Sequence, residues 1–359
     1  MTAVVLTAAL GVGASSANAT STAAEPAQRQ FVVMTQNLYL GANLQPLFGK
    51  SGLDLIRTAA ATYAHVVQTD FPDRADAIAK EIAAKHPEVV GLQEVFLWQE
   101  GPDPGHLQTT YDFLTILLNA LADHGASYRA VAVGTHFSGA LPIGITPDGT
   151  LTPWASLTDR DAIIVRTDLP TREFSWSNPT AQNFQRTFDV PLGGATIQIP
   201  RGWTSVDVRF QGRSYRVAET HLEAFSETVR NAQAAELLAS LEASPLPVIL
   251  VGDINSLPTD SAGPYGLFAG AGYVDSWVQA MDGDPGFTAG QPDDLNCALP
   301  STLDHRVDYI LHDDDPALRT VPRTGDVVGD SPSDCAATDP PLWPSDHAGV
   351  VIGMRGGTS

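Results

Sequence analysis

Long apolar runs are nearly absent from this sequence. The stretch AVVLTAALGVGA at 3–14 has signal-peptide length, and nothing else stays apolar for the roughly 20 residues a membrane-spanning helix needs. No transmembrane segment is therefore expected. Cysteine is scarce as well, with Cys297 and Cys335 the only two. Neither stands in a C-x-x-C pair, which argues against a structural zinc site. In an exported chain the two would form one disulfide, tying a loop-rich C-terminal region; two free buried thiols are the other reading. Positive charge is the third shortage. There are 20 Lys and Arg against 41 Asp and Glu, a net charge of −21, and the only lysines are Lys50, Lys80 and Lys85. Such a field repels polyanions, and nucleic-acid binders normally present a basic face. The imbalance counts against a dedicated nuclease, although bound divalent cations would offset part of it locally. Repeats, and linkers long enough to divide the chain, are also missing.

What is present is a globular composition, 43% hydrophobic and 17% charged. Ala17-Asn18-Ala19 fits a small-residue cleavage site and TSTAAEPAQ after it reads as a solvated start, so 1–28 is set aside as signal peptide and mature N-terminus. The basic residues that usually open a signal peptide are missing. A secreted, monomeric protein with one domain over 29–356 is expected. Short β-rich runs predict strands at 31–40, 88–95, 128–133, 161–166, 204–210, 214–222, 247–253, 306–312 and 348–354. Gln211-Gly212-Arg213 between two of these reads as a hairpin turn, so antiparallel pairing is expected. Helices are predicted at 73–87, where Ala75, Ile78, Ala79 and Ile82 form a stripe behind a capping Asp73, at 109–125, closed by Gly125, and at 226–244, capped by Ser226. The segment 134–159, rich in Gly, Pro and Thr, reads as a long surface loop near the site.

A polar residue recurs at the end of apolar runs. FVVMTQN ends in Asn37, VVGLQE in Glu94, YRVAETH in His221, and PVILVGDIN in Asp253 and Asn255. RVDYIL carries Asp308 within a strand, and WPSDHAGVV places Asp346 and His347 just before one. Buried carboxylates must be paired, and sheet edges are where α/β sites gather. Singly, each has an ordinary explanation as a strand end, a cap or a core histidine. Together they hold hard oxygen donors suited to Mg²⁺ or Mn²⁺ and histidines suited to proton transfer, the equipment for phosphoester cleavage. Arg160, before a strand, is read as a phosphate contact or as an ion pair with Asp159 or Asp161. Arg230 and Gln233 read as a solvated helix face, and His305 as exposed or pocket-lining.

The ordered set MTQN, GLQEV, ETHLEA, GDIN, RVDYIL and SDH resembles the endonuclease/exonuclease/phosphatase superfamily, over residues 31–352. The resemblance implies a four-layer α/β/β/α sandwich of two mostly antiparallel sheets with the site at one edge. It also implies Glu94 as main metal ligand, supported by Asn37 and Asp346. His347, oriented by Asp308, would contact the phosphate or move a proton. Asp253 would align or deprotonate the attacking water, Asn255 would hold phosphate or water, and His221 would stabilise charge or protonate the leaving oxygen. Which of His347 and Asp253 is the base stays open. Within the class, a phospholipid head group or small phosphodiester ranks above DNA, with a secreted nuclease as alternative and a binding module without chemistry as the other class. Phe137, Leu141, Pro142, Ile143 and Trp154 are candidates for an apolar contact near the cleft; they equally pack on the domain.

Overall fold

The computed structural model describes residues 29–313 and 320–356; the signal-peptide expectation lies outside them. In chain order the strands are β1 (Phe31–Asn37), β2 (Val89–Gln93), β3 (Leu97–Gly101), β4 (Gln108–Asp112), β5 (Tyr128–Pro142), β6 (Trp154–Arg166), β7 (Phe174–Asn183), β8 (Phe188–Leu192), β9 (Ala195–Ile199), β10 (Gly202–Phe210), β11 (Arg213–His221), β12 (Val248–Asp253), β13 (Tyr273–Asp275), β14 (Asp308–Asp313), β15 (Thr320–Val328) and β16 (Gly349–Gly356). The helices are α1 (Gly52–Gln68), α2 (Phe71–Lys85), α3 (Phe113–Asp123), α4 (Glu227–Glu242), α5 (Pro264–Gly270) and α6 (Ser276–Ala280).

Two sheets form. One runs β15-β16-β1-β2-β6-β3-β4, with β5 on β6; the other runs β13-β14-β12-β11-β10-β7. Only β1–β2 and β11–β12 pair in parallel among the described strands. The apolar runs are continuous because both sheets are covered on both faces. In β12, Ile249 and Val251 face the other sheet while Val248 and Leu250 meet Leu237 and Leu241 of α4. In β2, Val89 faces the other sheet while Val90 and Leu92 meet Ile78 and Ile82 of α2 and Leu117 of α3. The layers are therefore helix, sheet, sheet, helix, as the sequence resemblance implies.

Local signals explain most boundaries. Ser226 accepts from the Val229 amide at the start of α4. Gly125, at φ 72°, closes α3, with the Ala126 amide donating back to the Leu121 carbonyl at 2.8 Å. The hairpin of β10 and β11 turns through Gln211 and Gly212, both at positive φ.

Three expectations need correcting. The second helix starts at Phe71, with Asp70 at its N-cap, so Asp73 sits inside the first turn, where a carboxylate suits the helix dipole. Residues 108–112 form β4, and α3 begins only after Asp112, which caps it. The segment 134–159 is largely strand: β5 and β6 pair from Tyr128↔Arg166 out to Pro142↔Trp154. Cys297 and Cys335 form the expected disulfide, and Leu295, Leu342 and Trp343 pack into the same small cluster.

Candidate active site

Register delivers the side chains. In the parallel pair β1–β2, Asn37 stands opposite Gln93, so Asn37 and the following Glu94 leave the first sheet at one end. In the second sheet His221 stands opposite Asp253, and Asp253 opposite Asp308. Asp346 and His347 lie just before β16, the antiparallel neighbour of β1. Five of these remote segments thus end in one cleft of about 240 Å³, lined among others by Tyr39, Glu94, Asp159, Arg201, His221, Asp253, Asn255, Asp346 and His347, with Asp308 behind His347.

Asp253 sits at the centre. Its Oδ2 accepts from Asn37 Nδ2 at 3.3 Å and lies 3.5 Å from His221 Nε2 and 3.9 Å from His347 Nε2. Its Oδ1 accepts from the Asn255 amide at 2.9 Å. Burial, with Asp308 beside it, pushes this carboxyl up to about 7. Asn255, at φ 50°, donates from Nδ2 to the Leu222 carbonyl at 3.0 Å, which fastens the end of β12 to the end of β11.

The two histidines differ. His347 Nδ1 bonds Asp308 Oδ2 at 2.8 Å. Burial opposes its charge, but Asp308 and Asp346 outweigh burial and hold it well above the usual histidine range. His221 is held well below that range by burial and by Arg201. Arg201 Nη1 donates to His221 Nδ1 at 3.1 Å, so the neutral ring carries its proton on Nε2, facing Asp253. Arg201 also pairs with Asp159 at 3.3 Å.

Glu94 adopts φ 56°, and its Oε2 accepts from the Leu40 amide at 2.6 Å. Burial and Asp346 push it up to about 8; burial likewise raises Asp346. A buried carboxyl raised by a neighbouring carboxylate is a situation that a divalent cation relieves. Asn37 Oδ1 accepts from the Tyr39 amide at 2.9 Å and keeps a second lone pair. Asp308 Oδ1 is buried without a partner among the described residues. Ligand atoms of Asp253, Asp308 and His347 also lie within 4.8 Å of one another. The hydrogen bond of Asp308 to His347 makes that group a proton-holding pair first. The all-oxygen set of Glu94, Asp346 and Asn37 therefore fits a hard cation such as Mg²⁺ or Mn²⁺ better.

The structure gives Arg160 another place. Its Nε donates to the Val95 carbonyl at 2.9 Å and its Nη2 to the Phe96 carbonyl at 3.4 Å, with Asp112 as ion-pair partner rather than Asp159 or Asp161. It braces the turn after Glu94 and is not a wall of the cleft. Arg201 takes the cationic position instead. The sequence signal for Arg201 is the same as for Arg160, an arginine just before a strand, and nothing local separates the two. Nor are Arg230 and Gln233 a solvated face. Gln233 is fully buried, accepting from the Glu223 amide at 2.9 Å, and Arg230 donates to the Glu223 and Ala224 carbonyls, so both hold the turn after His221. His305 pairs with Asp304 at the surface.

Residues 34–347 match the model of the Endonuclease/Exonuclease/phosphatase family. No curated protein sequence matches. Among solved structures, an endonuclease/exonuclease/phosphatase family protein from Bacteroides thetaiotaomicron is similar at 19% identity and TM-score 0.57, covering 92% of this chain and 99% of that one. A mannosyl-6-phosphatase of the same organism is similar at 18% identity and TM-score 0.53, over 90% of this chain and 99% of that one. The human nocturnin catalytic domain with bound sulfate is similar at 20% identity and TM-score 0.51, over 92% and 94%. At these identities the likeness is one of fold.

Proposed function

The chain belongs to the endonuclease/exonuclease/phosphatase family, whose members hydrolyse phosphoester bonds, and we propose that it is an exported, Mg²⁺- or Mn²⁺-dependent phosphodiesterase. The observation that carries this reading is the placement of Asp253 between Asn37, His221 and His347, with the carboxylates of Glu94 and Asp346 in the same cleft. Glu94, Asp346 and Asn37 would hold the cation. When bound, it supplies charge neutralisation at the phosphoryl oxygens and polarises the phosphorus centre.

The chain's own groups divide the rest. Asp253 aligns the attacking water and takes its proton, its Oδ1 fixed by Asn255. His347, kept charged and oriented by Asp308, offers Nε2–H to the phosphate or the leaving oxygen. His221 is neutral and donates from Nε2 without giving up its proton, while Arg201 adds positive charge beside it. A small or lipid-borne phosphodiester ranks above DNA, because the net charge of −21 opposes a long polyanion. An intact proton-transfer and metal set argues against a module that only binds.

The test is turnover of bis-p-nitrophenyl phosphate, sphingomyelin and plasmid DNA with added Mg²⁺ or Mn²⁺. Hydrolysis that EDTA abolishes is expected, with Glu94→Ala and His347→Ala each lowering kcat/KM by about 100-fold or more. Unchanged turnover in both variants would sink the catalytic assignment. Plasmid nicking faster than cleavage of the two diesters would reverse the substrate ranking.

A further inference from the structure

Beside the catalytic cleft lies a second cavity, of about 330 Å³. Its walls come from the segment after β1 and from α1 (Leu47, Leu55), from the outer part of β5 (Leu141), and from β8 and β9 (Leu192, Ile197). None of its described lining residues carries a charge. Three of its polar side chains are occupied. Tyr63 donates its hydroxyl to Thr110 at 3.1 Å, the Trp98 indole donates to the Leu40 carbonyl at 3.0 Å, and Ser138 bonds Thr158 at 2.9 Å. A sugar or nucleobase would find almost nothing to hydrogen-bond there.

The cavity and the cleft share walls. Leu44, Phe48, Phe137, Leu157 and Ile199 line both. Phe48 stands at this boundary, packed edge-on against Phe225 at 5.3 Å and against Phe188 at 6.0 Å. The outer wall is a small sheet in which β8 and β9 pair only with each other among the described strands. It is tied to the body through the Gly49 amide on the Pro191 carbonyl, at 2.7 Å, and the Gly193 amide on the Lys50 carbonyl, at 2.8 Å.

We propose that this chamber receives an apolar chain carried by the substrate, so that the protein selects amphiphilic phosphoesters whose polar end lies at Asp253 and whose tail lies between β5 and the β8–β9 hairpin. The inference rests on the phosphoesterase reading and deepens it. Adjacency to the cleft decides the occupant: a chain that starts at the phosphate has only the shared aromatic and leucine wall to pass. The volume suits a chain of roughly ten carbons, a methylene being close in size to the ~30 Å³ share of a liquid water.

The experiment uses p-nitrophenyl alkyl phosphodiesters from methyl to dodecyl, each below its micelle concentration, with Mg²⁺. The expected result is a kcat/KM that climbs by up to about fourfold per methylene and then levels off once the chamber is full. Ala59→Phe, which puts a ring into the chamber from α1 beside Leu55, should flatten that climb; its melting temperature shows that it is folded. Turnover in the wild-type protein that is independent of chain length overturns the proposal. No turnover at any length refutes the phosphoesterase reading instead. The chamber is then judged by calorimetry with octylphosphonate and methylphosphonate. Tighter binding of the octyl compound, by about 100-fold or more, supports it, and equal binding overturns it.

Discussion

His136 shows how one buried side chain couples the molecule to pH. Its Nε2 lies 2.9 Å from Asp161 Oδ2 and its Nδ1 2.7 Å from Asn183 Oδ1. Burial lowers its proton affinity, but Asp161 outweighs burial and lifts it to about 9. A histidine whose folded value is raised lends stability that is full below the unfolded value near 6.5 and is lost as pH rises through the folded one. Between pH 6.5 and 9 the wild-type unfolding free energy should therefore fall by on the order of 2 kcal/mol more than that of His136→Gln. Denaturant melts at several pH values check this, and parallel curves refute it. Residues of this kind differ in how far the sequence reveals them. Asn37, Glu94, His221 and Asp253 are legible because each interrupts an apolar run, and a polar group there must have a reason. Arg201 and Asp159 are not, because their pairing joins segments 42 residues apart, and neither segment shows the other.

At the level of elements, α2 does more than cover a sheet. Its Arg74 is fully buried and donates to the carbonyls of Thr69, Leu38, Pro344 and Tyr39 at 2.6 to 3.0 Å. One helix residue thereby fixes the strand exit after Asn37 and the approach to Asp346. Arg74→Met keeps the bulk but leaves four carbonyls unsatisfied, and should lower stability by about 3 kcal/mol or more. Thermal unfolding measures it; a loss under about 1 kcal/mol would mean that water replaces the guanidinium. Helices such as α2 and α4 are legible from their spacing and caps. The same spacing stands in α1, at Leu55, Ala59, Tyr63 and Val66. The outer part of β5 is not legible as strand, for a physical reason. Its pairing with β6 shifts register at Ala130/Ala132 and again at Thr135/Phe137, and each irregularity resets the alternation by which a strand is recognised.

For the molecule as a whole, the proposed export and the Cys297–Cys335 bond agree, since disulfides form and persist in oxidising compartments and are rare in the cytosol. Protein recovered from the culture medium of the native host should begin at Thr20 and carry that bond in its intact mass; a chain retained in the cytosol with both thiols free counts against export. Replacing both cysteines by serine should cost about 3 kcal/mol of stability. The layered plan is legible in the alternation of apolar runs and helices, but the pairing order is not, because β1 meets β16 across the full length of the chain. Where the two sheets meet, a carbon added at Gly91 of β2 would stand 2.8 Å from Glu219 Cγ of β11 and closer still to the Val251 side chain of β12. That bare spot sets the gap between the strand that leads to Glu94 and the strand that leads to Asp253. The outer β8–β9 hairpin is tied to the body at few points and can yield without moving the two sheets. A methyl group at position 91 would instead wedge the halves apart and take the reaction with it.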